Sequence, residues 1–276
     1  MSNSKSPSKK TLVRQPTKRS QALMIAEVMR RFAAACPEPR CELYYRTPFQ
    51  LLLSVVLSAQ TTDKAVNAAM TPSYDAGLTP EAVVAMGEKN LLHLIRRIGL
   101  APTKARRAVA LAKILIEQHG GAVPSDRVSL EALPGVGRKT ASVVLGEIFR
   151  QPTLAVDTHV FRVTQRLGLH HCKSADACSD VLTTLIAATY LPQAHHWFVL
   201  HGRYVCKARS PQCGSCLLSD LCPSAALPAL PIARRSTQDW TTQTLKGPNS
   251  RAVLVAAKAL RPARADDAST PAKADR

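Results

Sequence analysis

Apolar residues spaced three and four apart recur along most of this chain, and that spacing leaves little room for anything but helices. Ile25, Val28, Met29 and Phe32 fall at i, i+3, i+4 and i+7, one face of an α-helix. Leu91, Leu94, Ile95 and Ile98 repeat the pattern up to Gly99, and Ala108, Leu111, Ala112 and Leu115 repeat it before Gly120 and Gly121. Val143, Val144 and Ile148, then Val160, Val163 and Leu167, then Val181, Leu182, Leu185 and Ile186 carry it on. Thr47-Pro48-Phe49-Gln50 reads as a helix start, with Thr47 at the N-cap, Pro48 in the first turn and Gln50 in the capping-box position. The following run, Leu51 to Leu57, is apolar on most sides, as in a buried helix. Short β-type alternation is missing, and no period of about 20–50 residues repeats. The expectation is an all-α fold.

Of the 276 residues, 46% are hydrophobic, enough for a real core. No uncharged apolar run reaches the roughly 18 residues of a membrane span, and the start carries no apolar stretch of a secretory signal. The eight cysteines are therefore expected as ligands or buried thiols in a reducing compartment, not as disulfides. The net charge of +18 points to a polyanionic partner, nucleic acid or an acidic surface. That charge is unevenly spread. Lys5, Lys9, Lys10, Arg14, Lys18 and Arg19 stand near the start with no acid among them, so residues 1–19 read as a disordered basic arm. An organelle-targeting segment is the weaker reading, because the arm has no amphipathic apolar face. Residues 224–276 hold nine basic and four acidic residues in an Ala/Pro/Thr-rich stretch and read as a disordered basic tail.

Leu133-Pro134-Gly135-Val136-Gly137 separates a short helix opening near Ser129 from one starting at Arg138. Two glycines around one apolar residue allow a tight turn and the close approach of another molecule. The new helix then presents free N–H groups and its positive dipole end outward, which suits a phosphate. The same residues serve an ordinary helix–helix turn, but Pro134 and the pair Arg138-Lys139 favour the phosphate. Such a contact positions a duplex without reading its sequence.

Lys139 lies in the first turn of that helix, where neighbouring Arg138 and the dipole both disfavour an ammonium. A neutral amine there is able to attack carbon and form a Schiff base. Asp157-Thr158-His159-Val160 opens another helix, and Asp157 is a good N-cap. A cap carboxylate stays ionised and still has an oxygen to turn toward a cleft.

Near the end, Cys206, Cys213, Cys216 and Cys222 are spaced C-x6-C-x2-C-x5-C. Four thiolates so close suit tetrahedral zinc or an iron–sulfur cluster, although zinc ribbons carry two C-x2-C pairs and only one is present. Cys36, Cys41, Cys172 and Cys178 show no comparable spacing. His195, His196 and His201 share a helix with Trp197 and read as packing or hydrogen-bonding groups.

Taken in order, Leu57 to Asp63, Ile98-Gly99-Leu100, Leu133 to Ala141, Val156 to His159 and His195 to Tyr204 resemble the endonuclease III family of helix-hairpin-helix DNA glycosylases, over about Ala22 to Pro223. The resemblance implies two helical lobes with the active site in the cleft between them: a bundle over 41–151 with the hairpin, and a lobe of 20–40 plus 152–223 with the cysteine loop. It implies a [4Fe-4S] cluster on Cys206, Cys213, Cys216 and Cys222. Lys139 would attack C1′ of a damaged nucleotide with help from Asp157, and β-elimination would follow. Gln60 would enter the space of the flipped base and Leu100 would wedge the opposite strand. Gly135, Val136, Gly137, Arg138 and Thr140 would hold the DNA backbone, with Lys207 and Arg209 reaching phosphates from the cysteine loop. The implied partner is double-stranded DNA with oxidised pyrimidines or abasic sites, met by a monomer in the bacterial cytoplasm, at the nucleoid.

Two departures from the family pattern stand out. Ala101 replaces a frequent aromatic residue beside the wedge, and Ser210 replaces a usual basic one. With aromatics at 4%, recognition by extended stacking is not expected. Three other readings remain open at this point: a purely hydrolytic mismatch glycosylase, a non-enzymatic iron–sulfur redox sensor on DNA, and a zinc-stabilised structural DNA-binding protein. The first is opposed by Lys139 and by the 53 residues after Pro223, too few for the extra domain of such enzymes.

Overall fold

The computed structural model describes residues 18–225. The basic arm and the basic tail lie outside the described residues, except for Lys18 and Arg19, which already belong to the first helix, and Ser224 and Ala225 at the start of the tail. In order come α1 (Lys18–Ala35), α2 (Pro48–Leu57), α3 (Asp63–Asp75), α4 (Pro80–Leu94), α5 (Ala101–His119), α6 (Arg127–Glu131), α7 (Arg138–Glu147), α8 (Thr158–Arg166), α9 (Ala175–Leu185) and α10 (Leu191–Tyr204), then a 3-10 turn at Cys213–Ser215. Among the described residues there is no strand, and no helix is long and apolar enough to cross a membrane.

Helix α2 shows how local chemistry sets the frame. Thr47 Oγ1 accepts the Gln50 N–H at 3.2 Å and caps the helix, as the sequence predicts. Gln50 does not complete the box on Thr47, however. Its Oε1 takes the N–H of Arg46 at 2.8 Å, and its amide donates to the carbonyls of Tyr74 and Leu78 at 3.3 Å each. A buried glutamine thus joins the start of α2 to the end of α3. Every residue of α2 after Pro48 is buried. Each large side chain hidden there contributes roughly 1.5–3 kcal/mol, which makes α2 the centre of the first lobe.

Two predicted boundaries move. The short helix before the hairpin is opened by Asp126, whose carboxylate takes the Ser129 N–H at 2.9 Å, so Ser129 lies inside α6. Helix α4 stops at Leu94, and Ile98 continues the apolar pattern in a turn, with its N–H on the Ile95 carbonyl at 2.8 Å. The spacing was helical there because one turn buries Ile95 and Ile98 as a helix face would.

Two buried clusters divide the molecule into two helical lobes. One gathers apolar residues of α2 to α5 and α7 around Leu51, Leu57, Met70 and Leu111. The other gathers α1, α8, α9, α10 and the cysteine loop around Phe32, Val163, Leu182 and Phe198. Trp197 anchors the second, donating its indole N–H to the Cys36 carbonyl at 2.8 Å. Helices α8 and α10 touch closely at Gly202, where a Cβ would come within 2.8 Å of His159 Cβ. Helix α10 also packs on α7, so one helix spans both lobes.

Candidate active site

The hairpin separates its three residues by role. Gly135 has φ 85°, and a Cβ on it would stand 3.2 Å from Val56 Cγ1 and 3.4 Å from Arg107 Cδ, so the fold itself demands glycine. Val136 is buried in the first core, and its N–H bonds the Leu133 carbonyl at 3.1 Å. Its side chain anchors the turn and faces no outside molecule. Gly137, the N-cap of α7, has open space where a Cβ would go. No side chain caps this helix end, so the first-turn amides of Arg138, Lys139 and Thr140 have no partner within the helix. The Arg138 side chain turns to α9, pairing with Asp180 and lying 4.0 Å from Asp176.

Lys139 comes from α7 and Asp157 from the start of α8, and the two line one cavity of about 60 Å³ between the lobes. Asp157 Oδ1 accepts the N–H groups of His159 and Val160, both at 2.8 Å, which fixes the carboxylate as a cap. Burial opposes its ionisation. The neighbouring His195 imidazole, the Val160 amide and Lys139 prevail and hold the carboxyl below the usual aspartate range. His195, on α10, donates Nδ1–H to the Ala155 carbonyl at 2.9 Å. Burial pushes this imidazole down, so in its neutral form the other nitrogen carries a lone pair. The lysine nitrogen, the carboxylate and the imidazole line one cavity, a set able to attack carbon and move protons.

Other residues of the lining are charged and paired. Arg203 donates Nη2 to Asp63 at 2.7 Å and pairs through Nη1 with Glu42, which also takes the Tyr204 hydroxyl. His195, Val199 and Arg203 are four residues apart and share a face of α10 toward the cavity. Arg203 is absent from the sequence-based candidates, and His195, expected as a packing or hydrogen-bonding group, does make a hydrogen bond but also lines the cavity; the four-residue spacing was the available signal.

Gln60 and Leu100 both hold left-handed backbone, φ 55° and 62°, a conformation that among described non-glycine residues only Arg150 shares. Each costs roughly 1–2 kcal/mol that the surroundings must supply. Leu100 is 58% exposed, unusual for a leucine, and Gln60 is exposed beside it.

Cys206, Cys213, Cys216 and Cys222 line a second cavity, about 150 Å³, against α8 and α10. The donors around the sulfurs suit thiolates. Arg166 Nη1 reaches Cys206 Sγ at 3.3 Å, the Leu218 N–H reaches Cys216 Sγ at 3.4 Å, and His201 Nε2 lies 3.5 Å from that sulfur. Burial, then repulsion among the sulfurs, pushes the Cys216 thiol up to about 12, the cost a metal group removes. His201 Nδ1 is a buried nitrogen without a hydrogen-bond partner. Among the described residues no group of three or more His, Cys, Asp or Glu is arranged to hold a metal ion. Four thiols lining one cavity of this size fit a group that fills it. Arg166, also missed from sequence, braces the loop by donating to the carbonyls of Lys207 and Ala208 at 2.8 Å each. Lys207 and Arg209 are exposed on its outer side.

The family described as HhH-GPD superfamily base excision DNA repair protein matches residues 53–186, and the iron-sulfur binding domain of endonuclease III matches residues 206–222. Endonuclease III of Escherichia coli (strain K12) is 46% identical over 196 residues, 71% of this chain and 93% of that protein. The chain belongs to the endonuclease III family. Endonuclease III of Treponema pallidum is 48% identical over 195 residues, 71% of this chain and 92% of its own length. The solved structure of a non-covalent endonuclease III–DNA complex matches with TM-score 0.70 and 42% identity, covering 76% of this chain and 97% of that one. A trapped endonuclease III–DNA covalent intermediate matches equally well. As a member of this family, the protein is a base-excision DNA glycosylase and abasic-site lyase with a [4Fe-4S] cofactor. The hydrolytic and non-enzymatic readings are not favoured.

Proposed function

We propose that this enzyme acts on duplex DNA carrying oxidised pyrimidines or abasic sites, with Lys139 as nucleophile and Asp157 as its partner. The observation that carries this is their convergence from α7 and α8 on one cavity, in which Asp157 is held ionised. Lys139 Nζ attacks C1′, the glycosidic bond breaks, and the base leaves with the bonding electrons. The Asp157 carboxylate stabilises positive charge developing on the sugar, and the amine's protons pass to Asp157 or His195. The C1′–O4′ bond then opens, O4′ taking back a proton from Asp157 or His195, and leaves an imine that acidifies the C2′ hydrogen. Loss of that proton breaks the C3′–O bond, and the 3′ phosphate leaves with its electrons. The charged walls at Asp63, Glu42 and Arg203 suit the polar edge of an oxidised base.

Gly135, Gly137, Arg138 and Thr140 approach phosphates through the open end of α7, while Val136 supports them from the core. Lys207 and Arg209 extend that surface. Gln60 and Leu100 enter the duplex, and their exposure and left-handed backbone support this. Cys206, Cys213, Cys216 and Cys222 hold the cluster, which ties down a loop with little regular structure. The lobes divide as 41–151 and as 20–40 with 152–223, and the enzyme works as a monomer at the bacterial nucleoid.

Borohydride trapping on a thymine-glycol duplex tests the reading. Wild type forms a covalent adduct and Lys139→Gln forms none; undiminished trapping by the variant removes Lys139 from the mechanism.

A further inference from the structure

The two residues proposed to enter the duplex sit on separate turns, Gln60 after α2 and Leu100 before α5. One buried cation touches both turns. Lys104, in the first turn of α5, is 4% exposed and donates from Nζ to Thr61 Oγ1 at 2.8 Å. Its backbone N–H bonds the Leu100 carbonyl at 3.1 Å. Thr61 follows Gln60 directly and closes that turn with its own N–H on the Ser58 carbonyl at 2.9 Å. Between them lies Gly99, where a Cβ would stand 3.6 Å from both the Gln60 carbonyl oxygen and Thr61 Oγ1. The Lys104–Thr61 bond thus spans two turns that approach closely at Gly99 and that each carry a left-handed residue.

A methionine fills the space of a lysine stem without desolvating a charge. Burial does disfavour the Lys104 ammonium and lowers its pKa. What the ammonium adds is a directional bond between the turns. We propose that Lys104 is a positioning residue that joins the Gln60 and Leu100 turns into one rigid wedge, so that both strands of the duplex are entered together. This rests on the assignment of Gln60 and Leu100 to the duplex interior. With the tie cut, the turns move separately and each left-handed residue relaxes toward ordinary backbone. The nucleotide is then extruded less often, while the chemistry at Lys139 proceeds unchanged once the sugar reaches the cleft.

The test uses full-length, cluster-loaded enzyme under single-turnover conditions. Lys104→Met deletes the donor and Thr61→Val the acceptor. Each is expected to slow base release from a thymine-glycol duplex about tenfold, as loss of one charge-assisted bond implies. The double variant is no slower than either single one, and Lys104→Arg recovers part of the rate. Cleavage of an abasic site in a single-stranded oligonucleotide, where no pair is opened, stays at the wild-type rate in all of them. If both single variants release base from the duplex at the wild-type rate while Gln60→Ala and Leu100→Ala are slow, the tie is refuted and the wedge stands. If Gln60→Ala and Leu100→Ala are also unaffected, the wedge assignment itself falls. Equal slowing on single and double strands refutes the positioning role. If Lys104→Met does not fold, Thr61→Val decides by the same comparison.

Discussion

His196 donates its Nε2–H to the carboxylate of Glu147 at 2.8 Å, and the two side chains are only 7% and 9% exposed. The other oxygen of Glu147 accepts the Tyr45 hydroxyl at 2.5 Å. The pair links the last residue of α7 to α10, across the two lobes, at the cavity that Lys139 and Asp157 also line.

Acid should find this link. Burial opposes the charge on Glu147, but His196 and then Tyr45 bring its carboxyl from 4.5 down to about 2. A group whose folded value lies below its unfolded one stabilises the protein above the unfolded value. That contribution is lost as pH falls from about 4.5 to about 2. Glu147→Gln, which keeps shape but not charge, is expected to cost roughly 2 kcal/mol at neutral pH. It should also flatten the loss of stability in that acid window. Urea unfolding at a series of pH values reads both effects, and a variant as acid-sensitive as wild type contradicts the assignment.

Substitution separates the cap role of Asp157 from the catalytic role proposed for it. Asn keeps an oxygen for the His159 and Val160 amides, whereas Ala removes the cap. Asp157→Asn should leave unfolding temperature nearly unchanged and lower turnover at least about a hundredfold, in the range of lost acid–base groups. Asp157→Ala should lose turnover equally and a further ~1 kcal/mol of stability. Unfolding curves with single-turnover rates on both variants separate the roles. Full activity in the Asn variant would leave Asp157 a cap alone.

Arg138 is already engaged by acids, since it pairs with Asp180, whose side chain is 63% exposed. Exposed ion pairs are weak, so a DNA phosphate displaces this one readily, but not without competition. Asp180→Asn is predicted to tighten nonspecific duplex binding several-fold, and Arg138→Ala to weaken it. Removing one phosphate contact should also reduce the salt slope by roughly 0.9. Fluorescence anisotropy across a salt series measures both. Unchanged affinity in Asp180→Asn would show the pair to be idle.

Cys216→Ser should release iron and the visible absorbance together. It should also open the loop to trypsin after Lys207 and Arg209, now held beside a braced segment. Retained colour with full iron content would remove Cys216 from the ligand set.

Gly202→Ala tests the closest helix contact. A methyl placed 2.8 Å from His159 Cβ meets an atom that no change of rotamer can move away. The expected cost is roughly 1–3 kcal/mol, visible as a lower unfolding temperature. An unaltered temperature would mean that α8 and α10 separate freely.

The helices, the Thr47 cap and the Asp157 cap were legible because they depend on neighbours in the chain: apolar spacing and side chains that reach amides two or three residues on. The hairpin glycines were legible as a pair but not as individuals. Only the packing of Val56 and Arg107 distinguishes Gly135, required by the fold, from Gly137, which faces open space. Arg203, Arg166 and His195 were not legible as site residues, because their roles come from partners distant in sequence: Glu42 and Asp63, the cysteine loop, and the Ala155 carbonyl. Arg138 looked free for phosphate for the same reason, since nothing near it in sequence announces Asp180.

Helix α8 carries Asp157 at its first end and Arg166 at its last, where the arginine grips the cysteine loop. Its nine residues make a rod of roughly 14 Å. Anyone transplanting this active site into a scaffold without the loop would free the far end of that rod, and the aspartate at its near end would lose its aim. A minimal version of the enzyme must replace the brace before it can dispense with the iron.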